Sequence, residues 1–330
     1  MQLQQLAPIA HDSKPLNAVR VETPQAGPGE VLLRVRACGV CHTELDEIEG
    51  RLPPPQLPVI PGHQVVGEVV DNNGTQLEAG TRVGVGWIHR SDGTPNENIS
   101  EAFVATGCDV NGGYAEYMTV PAAYAVPMPD ALCDVAAAPL LCAGAIGYRA
   151  VMLAGVTDGE PIGLSGFGGS AHLVLQLCRH LYPGSPVFVF ARAEETRRFA
   201  KRLGADWVGA HHEAPPQPAR AIIDTTPAWQ PVVNALAALQ PGGRLVINAI
   251  RKEARDQNAL LALSYHKHMW MEREIKSVAN ITRNDIARFL PLAAEANITA
   301  TTQTYELEAA NEALVSLKFE ATVGAKVLVV

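Results

Sequence analysis

The sequence predicts an α/β protein in two parts: an irregular β-rich domain, then a doubly wound parallel sheet. Three observations predict it. Residues 1–140 are dense in glycine, proline and short β-branched runs. From about 145 onward, apolar strand-like runs alternate with helical stretches. A glycine-rich turn, GLSGFGG at 163–169, joins the first of those strands to the first of those helices. Strands alternating with helices of this length imply parallel pairing, because a parallel strand needs a crossover to return to its starting edge.

The elements follow in order. EVLLRVRACGV (30–40), QVVGEVV (64–70) and TRVGVGW (81–87) read as strands of the first part, separated by tight turns. PIGLSGF (161–167) leads into a helix across 169–180, and VFVFA (187–191) into a helix across 194–203. AIIDT (221–225) precedes a helix near 230–239, then RLVINAI (244–250) and the apolar strand EIKSVAN (274–280). The tail carries two helices, NDIARFLPLAAEA (284–296) and LEAANEALVSLKF (307–319), and a last strand, AKVLVV (325–330). There is no internal repeat and no low-complexity segment.

A chain of 330 residues is long for one core and comfortable for two domains. Its net charge of −8 argues against nucleic acid, which wants a basic surface. No run approaches a membrane span in length, and the first residues lack the cationic start and apolar run of an export signal. Six cysteines without such a signal read as thiols of a reducing compartment, so cytoplasm is the expected location.

Three residues far apart carry the chemistry. Cys41 lies in CGVCHTE, His63 in PGHQVVGEVV, and Cys142 in APLLCAGAIGYRA. Two thiolates and one imidazole leave one tetrahedral position open, which separates a catalytic zinc from a closed structural one. Cys38, Cys133 and Cys178 read as small buried hydrophobes.

On these segments, in this order and followed by the glycine-rich turn, the chain resembles the zinc-dependent alcohol dehydrogenases of the medium-chain dehydrogenase/reductase superfamily, nearly end to end. The resemblance implies a GroES-like catalytic domain from 1–143 and 286–330, the tail folding back onto it. A Rossmann domain for NAD or NADP would occupy 144–285. Cys41, His63 and Cys142 would bind one catalytic zinc. His42 would face the cofactor pyrophosphate, and the Thr43 hydroxyl would hydrogen-bond the alcohol. Glu44, standing where the family usually has Asp, would support His63 from behind the metal. Ile146 would pack on the nicotinamide and Trp87 would narrow the substrate pocket, although Trp87 also reads as an ordinary core aromatic. Among the cofactor-binding positions would be Gly163, Ser165, Gly166, Phe167, Gly168, Gly169, Thr225 and Ala249.

The chain departs from the family at three places. Gln64 follows the histidine where a Glu is usual. Asp46 stands in for a surface histidine that often ends the proton relay. The interval 88–111 is shortened, with Ser100 at the place of a lobe cysteine and only Cys108 left, so a four-cysteine structural zinc is not expected and other contacts must hold the loop.

Cofactor choice is read about 20 residues beyond the glycine turn, where NAD sites place Asp or Glu on the ribose 2′-OH. Here stand Ala191 and Arg192, with Arg197 and Arg198 about a turn on. Loss of the carboxylate and gain of a guanidinium predict NADP over NAD, a 2′-phosphate being a bidentate partner for arginine. The expected function is hydride transfer between a nicotinamide and an alcohol or its carbonyl, in a homodimer or homotetramer. The competing readings are a zinc-free quinone or enoyl reductase of the same fold and a non-enzymatic redox sensor. The intact ligand triad argues against the first; Gln64 and Asp46 give the second its weight.

Overall fold

The computed structural model describes residues 1–320 and 324–330. It divides into two units, 1–145 with 280–330, and 146–279.

The first unit is built on a seven-stranded sheet. Its order is Thr302–Glu306, Ala325–Val329, Glu30–Val40, Gln64–Asp71, Arg82–Val85 and Val126–Pro127, with Tyr117–Pro121 also paired to Glu30–Val40. The long strand Glu30–Val40 explains much of this. Its first residues alternate between a buried and a solvent face, whereas its last four, Ala37–Val40, are all buried. Val31, Leu33, Val35 and Ala37 supply the core side of that alternation. The strand delivers the chain, buried, to Cys41. Its neighbour Gln64–Asp71 runs antiparallel in the register Gly39↔Gln64, so it begins just after His63. Two sequence-distant ligands are thereby set side by side by one strand pair.

The second unit is a six-stranded parallel sheet in the order Trp207–Gly209, Val187–Phe190, Ile162–Ser165, Ala219–Asp224, Leu239–Ile247, Glu274–Ser277. IGLS and VFVF are buried at every residue, as strands covered on both faces must be. Helices Ala171–Leu181, Glu194–Arg202 and Gln230–Ala237 supply the crossovers. Phe188, Phe190, Ile222, Leu236 and Leu245 form one core cluster, against which Trp207 packs. The strand order reverses direction at Ile162–Ser165, the switch point beside which doubly wound sheets bind ligands.

This is the α/β architecture the alternation predicted. Several short helical pieces escaped that reading, among them His42–Ile48, Asp134–Ala137, Ala138–Leu141, Ala254–Ala262 and the π-helical turn Tyr265–Met269. They lack a sustained apolar period. Cys38 and Cys178 are fully buried, but Cys133 is exposed, contrary to the expectation of a buried thiol. It lies just before the short helix Asp134–Ala137 at the surface, where no core surrounds it. Among the described residues no single helix is long and apolar enough to cross a membrane.

Candidate functional site

The ligand atoms of Cys41, His63 and Cys142 all lie within 4.8 Å of one another. Each arrives differently. Cys41 ends the central strand and immediately precedes helix His42–Ile48. His63 follows Gly62, whose φ of +101° and whose missing Cβ both matter: a Cβ there would lie 2.3 Å from the Tyr114 ring. Cys142 sits at the break between the 3₁₀ turn Ala138–Leu141 and the helix Ala143–Ala154.

Glu44 organises the imidazole. It is fully buried, its Oε2 accepts the Cys41 backbone N–H at 2.7 Å, and its Oε1 lies 2.6 Å from His63 Nδ1. A carboxylate there fixes the proton on Nδ1 and turns the Nε2 lone pair toward the two thiols. His63 Nε2 is buried without a hydrogen-bond partner, an orphan that a metal ion would satisfy. The extra methylene of Glu relative to Asp is accommodated, because the side chain turns back onto the first turn of its own helix.

The electrostatics agree. A hydrogen bond from Cys142 holds the Cys41 thiol well below its ordinary value, with His63 adding to the effect against burial. The same hydrogen bond, then burial, raises Cys142 well above the thiol range. Burial opposes charge on His63, yet Glu44 and Cys41 together raise it well above the usual histidine value. A site that gathers a shared thiolate, a second thiol and an oriented imidazole in a water-poor pocket is a donor set for a soft divalent ion.

Thr43 is buried, its Oγ1 3.5 Å from Cys41 Sγ, so its hydroxyl borders the ligand cluster. His42 is exposed at the start of the same helix. Trp87 is half-buried with its ring 6.1 Å from that of His63, and Phe103 meets it edge-on at 5.9 Å. Phe103 was not anticipated; it sits in a loop with no periodicity to mark it. Nor was Glu47, buried three residues beyond Glu44, which burial first and Glu44 next push well above the carboxylate range. The helical spacing of the two glutamates was its only signal.

Two family departures change meaning in three dimensions. Asp46 is not a surface relay group: it is buried and paired with Arg51 at 2.6 Å, because it points inward from the helix. Gln64 is buried with its carboxamide lying over Gly39, where a Cβ would approach to within 2.4 Å of Oε1.

The shortened loop is held by a buried carboxylate. Glu97 Oε2 accepts from the Tyr124 hydroxyl at 2.9 Å, and Oε1 accepts from the Arg283 backbone N–H at 2.8 Å. The Arg283 side chain lies 3.8 Å from Oε1, and Ser91 donates to both the Tyr124 oxygen and, through Oγ, the Glu97 carbonyl. Glu97→Ala orphans two donors, the buried Tyr124 hydroxyl and the part-buried Arg283 N–H, and should cost about 3–6 kcal/mol, two charge-assisted hydrogen bonds' worth. A lowered thermal midpoint with normal metal content is the expected result.

In the second unit, Gly163 and Ser165 belong to the strand Ile162–Ser165, and Gly166, Phe167, Gly168 and Gly169 form the turn that follows it at the switch point. Gly166 has φ +82°, and a Cβ there would meet Thr225 Oγ1 at 2.8 Å. A Cβ on Gly168 would meet nothing within 4 Å, so the turn keeps open space at its crest. The Ser165 hydroxyl points into the sheet, donating to Asp224 Oδ1 at 2.8 Å, and Thr225 Oγ1 donates to the Ser165 carbonyl at 3.2 Å. Asp224 also receives the Thr226 hydroxyl and the Lys252 ammonium, a buried latch beneath the crevice. Phe167 is buried edge-on to Phe199, Ala191 is buried, and Ala249 is half-buried just after the strand Leu239–Ile247. Ile146 lies in the first half of helix Ala143–Ala154. Arg192 is exposed. Arg197 is partly committed elsewhere, since its Nη1 donates to the carbonyls of Ala191 and Arg192 at 2.8 and 2.7 Å.

A β-rich unit holding a two-cysteine, one-histidine cluster, in one chain with a doubly wound unit, defines a class of zinc-type, nicotinamide-linked dehydrogenases. Comparison with known proteins narrows it. Residues 27–130 match the alcohol dehydrogenase GroES-like domain. The chain is 39% identical to the probable alcohol dehydrogenase AdhA of Mycobacterium tuberculosis, over 97% of this chain and 94% of that one. It is 33% identical to an alcohol dehydrogenase of Geobacillus stearothermophilus over 91% of each. The structure of a cobalt- and zinc-bound thermostable alcohol dehydrogenase from Pyrobaculum aerophilum superposes with a TM-score of 0.85, at 25% identity over 100% of this chain and 99% of that one. The chain belongs to the zinc-type alcohol dehydrogenase family of the medium-chain dehydrogenase/reductase superfamily.

Proposed function

We propose that the protein is a zinc-dependent alcohol dehydrogenase or aldehyde reductase that prefers NADP. Family membership supports the reaction class, and the convergence of Cys41, His63 and Cys142 on one point is the observation that carries the site. The metal in the Pyrobaculum aerophilum relative supports zinc here. Zinc, when bound, supplies a Lewis acid that polarises the substrate oxygen, bringing an alcohol's pKa from about 16 toward about 7.

The chain's own residues do the rest. Cys41, Cys142 and His63 Nε2 hold three positions and leave one for substrate. Glu44 keeps the imidazole in the required tautomer and orientation. The Thr43 hydroxyl accepts the alcohol's proton hydrogen bond and starts its passage to solvent. Since Asp46 is tied to Arg51, that passage runs through Thr43 and the exposed His42 rather than through residue 46. Trp87 and Phe103 wall the site and favour slim substrates. In the second unit the glycine turn receives the cofactor pyrophosphate, with Arg192 on the adenosine 2′-phosphate. Phe167, Thr225 and Ala249 line the crevice, and Ile146 packs on the nicotinamide. The domain division we adopt is 1–143 with 286–330 for catalysis and 144–285 for cofactor.

Aldehyde-dependent oxidation of NADPH and NADH tests the reading. Arg192→Ala should weaken NADPH binding by about 1–3 kcal/mol, the scale of a charge-assisted hydrogen bond, and leave NADH nearly unchanged. Equal losses for both would mean adenine stacking, not phosphate recognition.

We also infer self-association. The edge strand Glu274–Ser277 is exposed at all four residues, and Ile275, Tyr265, Trp270, Met271 and Leu261 expose apolar surface nearby in sequence. A bare apolar edge is a liability unless a second copy covers it. Light scattering should show a dimer or larger at micromolar concentration, and Ile275→Lys should shift it toward monomer. A monomeric unsubstituted protein would rule the assembly out.

A further inference from the structure

The crevice of the second unit contains a titratable group that the cofactor reading leaves unused. Phe190 and Gly209 are in register on neighbouring parallel strands, and the Ala191 N–H donates to the Gly209 carbonyl at 2.9 Å. Arg192 and His211 each stand two residues beyond that pair, so both leave the sheet at the same end and on adjacent strands. That end is the carboxyl edge, where doubly wound sheets bind their ligands. We infer that His211 stands with Arg192 as a second recognition group for the 2′-phosphate of NADP, and that it makes this recognition depend on pH. This rests on the NADP reading given above.

The surroundings favour it. His211 is half-buried, whereas its neighbour His212 is exposed. Burial of the ring holds its pKa below the ordinary histidine value, and Arg192 and His212 push the same way while Asp224 opposes. Asp224 spends its charge on Lys252, Ser165 and Thr226. On its own segment His211 is followed by Glu213, whose carboxylate approaches Gly209 instead. The imidazole thus feels one carboxylate, Asp224, whose charge Lys252 partly neutralises, and a phosphate beside the ring would be a stronger partner. A phosphate dianion beside it raises its pKa, so the ring takes up a proton as the cofactor binds. By linkage, NADPH affinity is greatest below the free-state pKa of the ring and falls as pH rises through the bound-state pKa. The phosphate alone gives the opposite slope: its second ionisation near pH 6 strengthens binding as pH rises. The sign of the slope separates the two.

Fluorescence titration of NADPH and NADH between pH 6 and pH 8 is the test, each cofactor read as a dissociation constant without turnover. The NADPH-to-NADH affinity ratio of the unsubstituted protein should fall several-fold across that range, about tenfold being the limit for one pKa unit of coupling. His211→Gln should flatten or reverse the slope and leave NADH binding unchanged, which also certifies the fold. Calorimetry of NADP⁺ in two buffers of different ionisation enthalpy supplies a reading without any variant: proton uptake on NADP⁺ binding, none on NAD⁺. If Arg192→Ala lowers NADPH affinity selectively but His211→Gln keeps the parent slope, the role of His211 is overturned and the NADP reading stands. If Arg192→Ala leaves the preference untouched, the NADP reading fails and takes this inference with it.

Discussion

Cys142→Ala should strip the protein of most of its metal and abolish turnover. The unsubstituted chain should hold one zinc, in a site with three protein ligands drawn from three separate segments. Losing an outer partner of a zinc ligand costs roughly 10–100-fold in metal affinity or activity, and losing a ligand itself costs more. The substitution is small and sits at a helix break, so the fold should survive it and circular dichroism should match the parent. Metal analysis of both proteins, with aldehyde-dependent NADPH oxidation, checks the claim. Two zincs in the parent chain would overturn the reading of the 88–111 loop, and full zinc in the variant would remove Cys142 from the site.

Glu44→Gln should lower zinc affinity or kcat/KM by about 10–100-fold. The reasoning is a count of acceptors. Glu44 faces two donors, the Cys41 N–H and His63 Nδ1, and offers one carboxylate oxygen to each. A carboxamide has one acceptor oxygen and two N–H donors. If its oxygen takes the Cys41 N–H, its NH₂ faces Nδ1 and drives the ring proton to Nε2, where it blocks the metal. If its oxygen takes Nδ1, the buried Cys41 N–H meets another donor. The site thus either loses the imidazole lone pair at Nε2 or leaves a donor facing a donor. Glu44→Asp keeps both acceptors on a shorter arm and should lose less. Zinc retention by Glu44→Gln equal to the parent, measured against a chelator series, would show that the histidine is oriented by something else.

The fold class was legible because it depends on local pattern. IGLS, VFVF and AIID are short apolar runs bounded by turn residues, and strands buried on both faces need that composition. The clustering of Cys41, His63 and Cys142 was legible because Cys and His in those contexts are few. GLSGFGG was legible as a turn because a strand-to-helix junction needs glycine where the backbone takes positive φ, as at Gly166. What failed was anything set by which way a side chain points. Asp46 was placed at the surface through the family histidine it replaces, but the helix His42–Ile48 buries almost its whole circumference, so an acid there must find an internal partner, and Arg51 is it. Cys133 looked like a core thiol by its type and lies at the surface. The clamp on the shortened loop joins Glu97 to Arg283, 186 residues apart, and no spacing rule could have paired them.

The sequence by itself therefore determined the order of the main strands and helices, the family and the three residues that converge on one point, since each is written in composition, local period and motif. Only the tertiary structure decided how the longer Glu44 side chain reaches both the Cys41 N–H and His63, where the Ser165 hydroxyl goes, and that Arg192 and His211 leave the sheet side by side. Those are consequences of strand register and helix rotation, and register is fixed by contacts between residues distant in the chain, so no local window contains it.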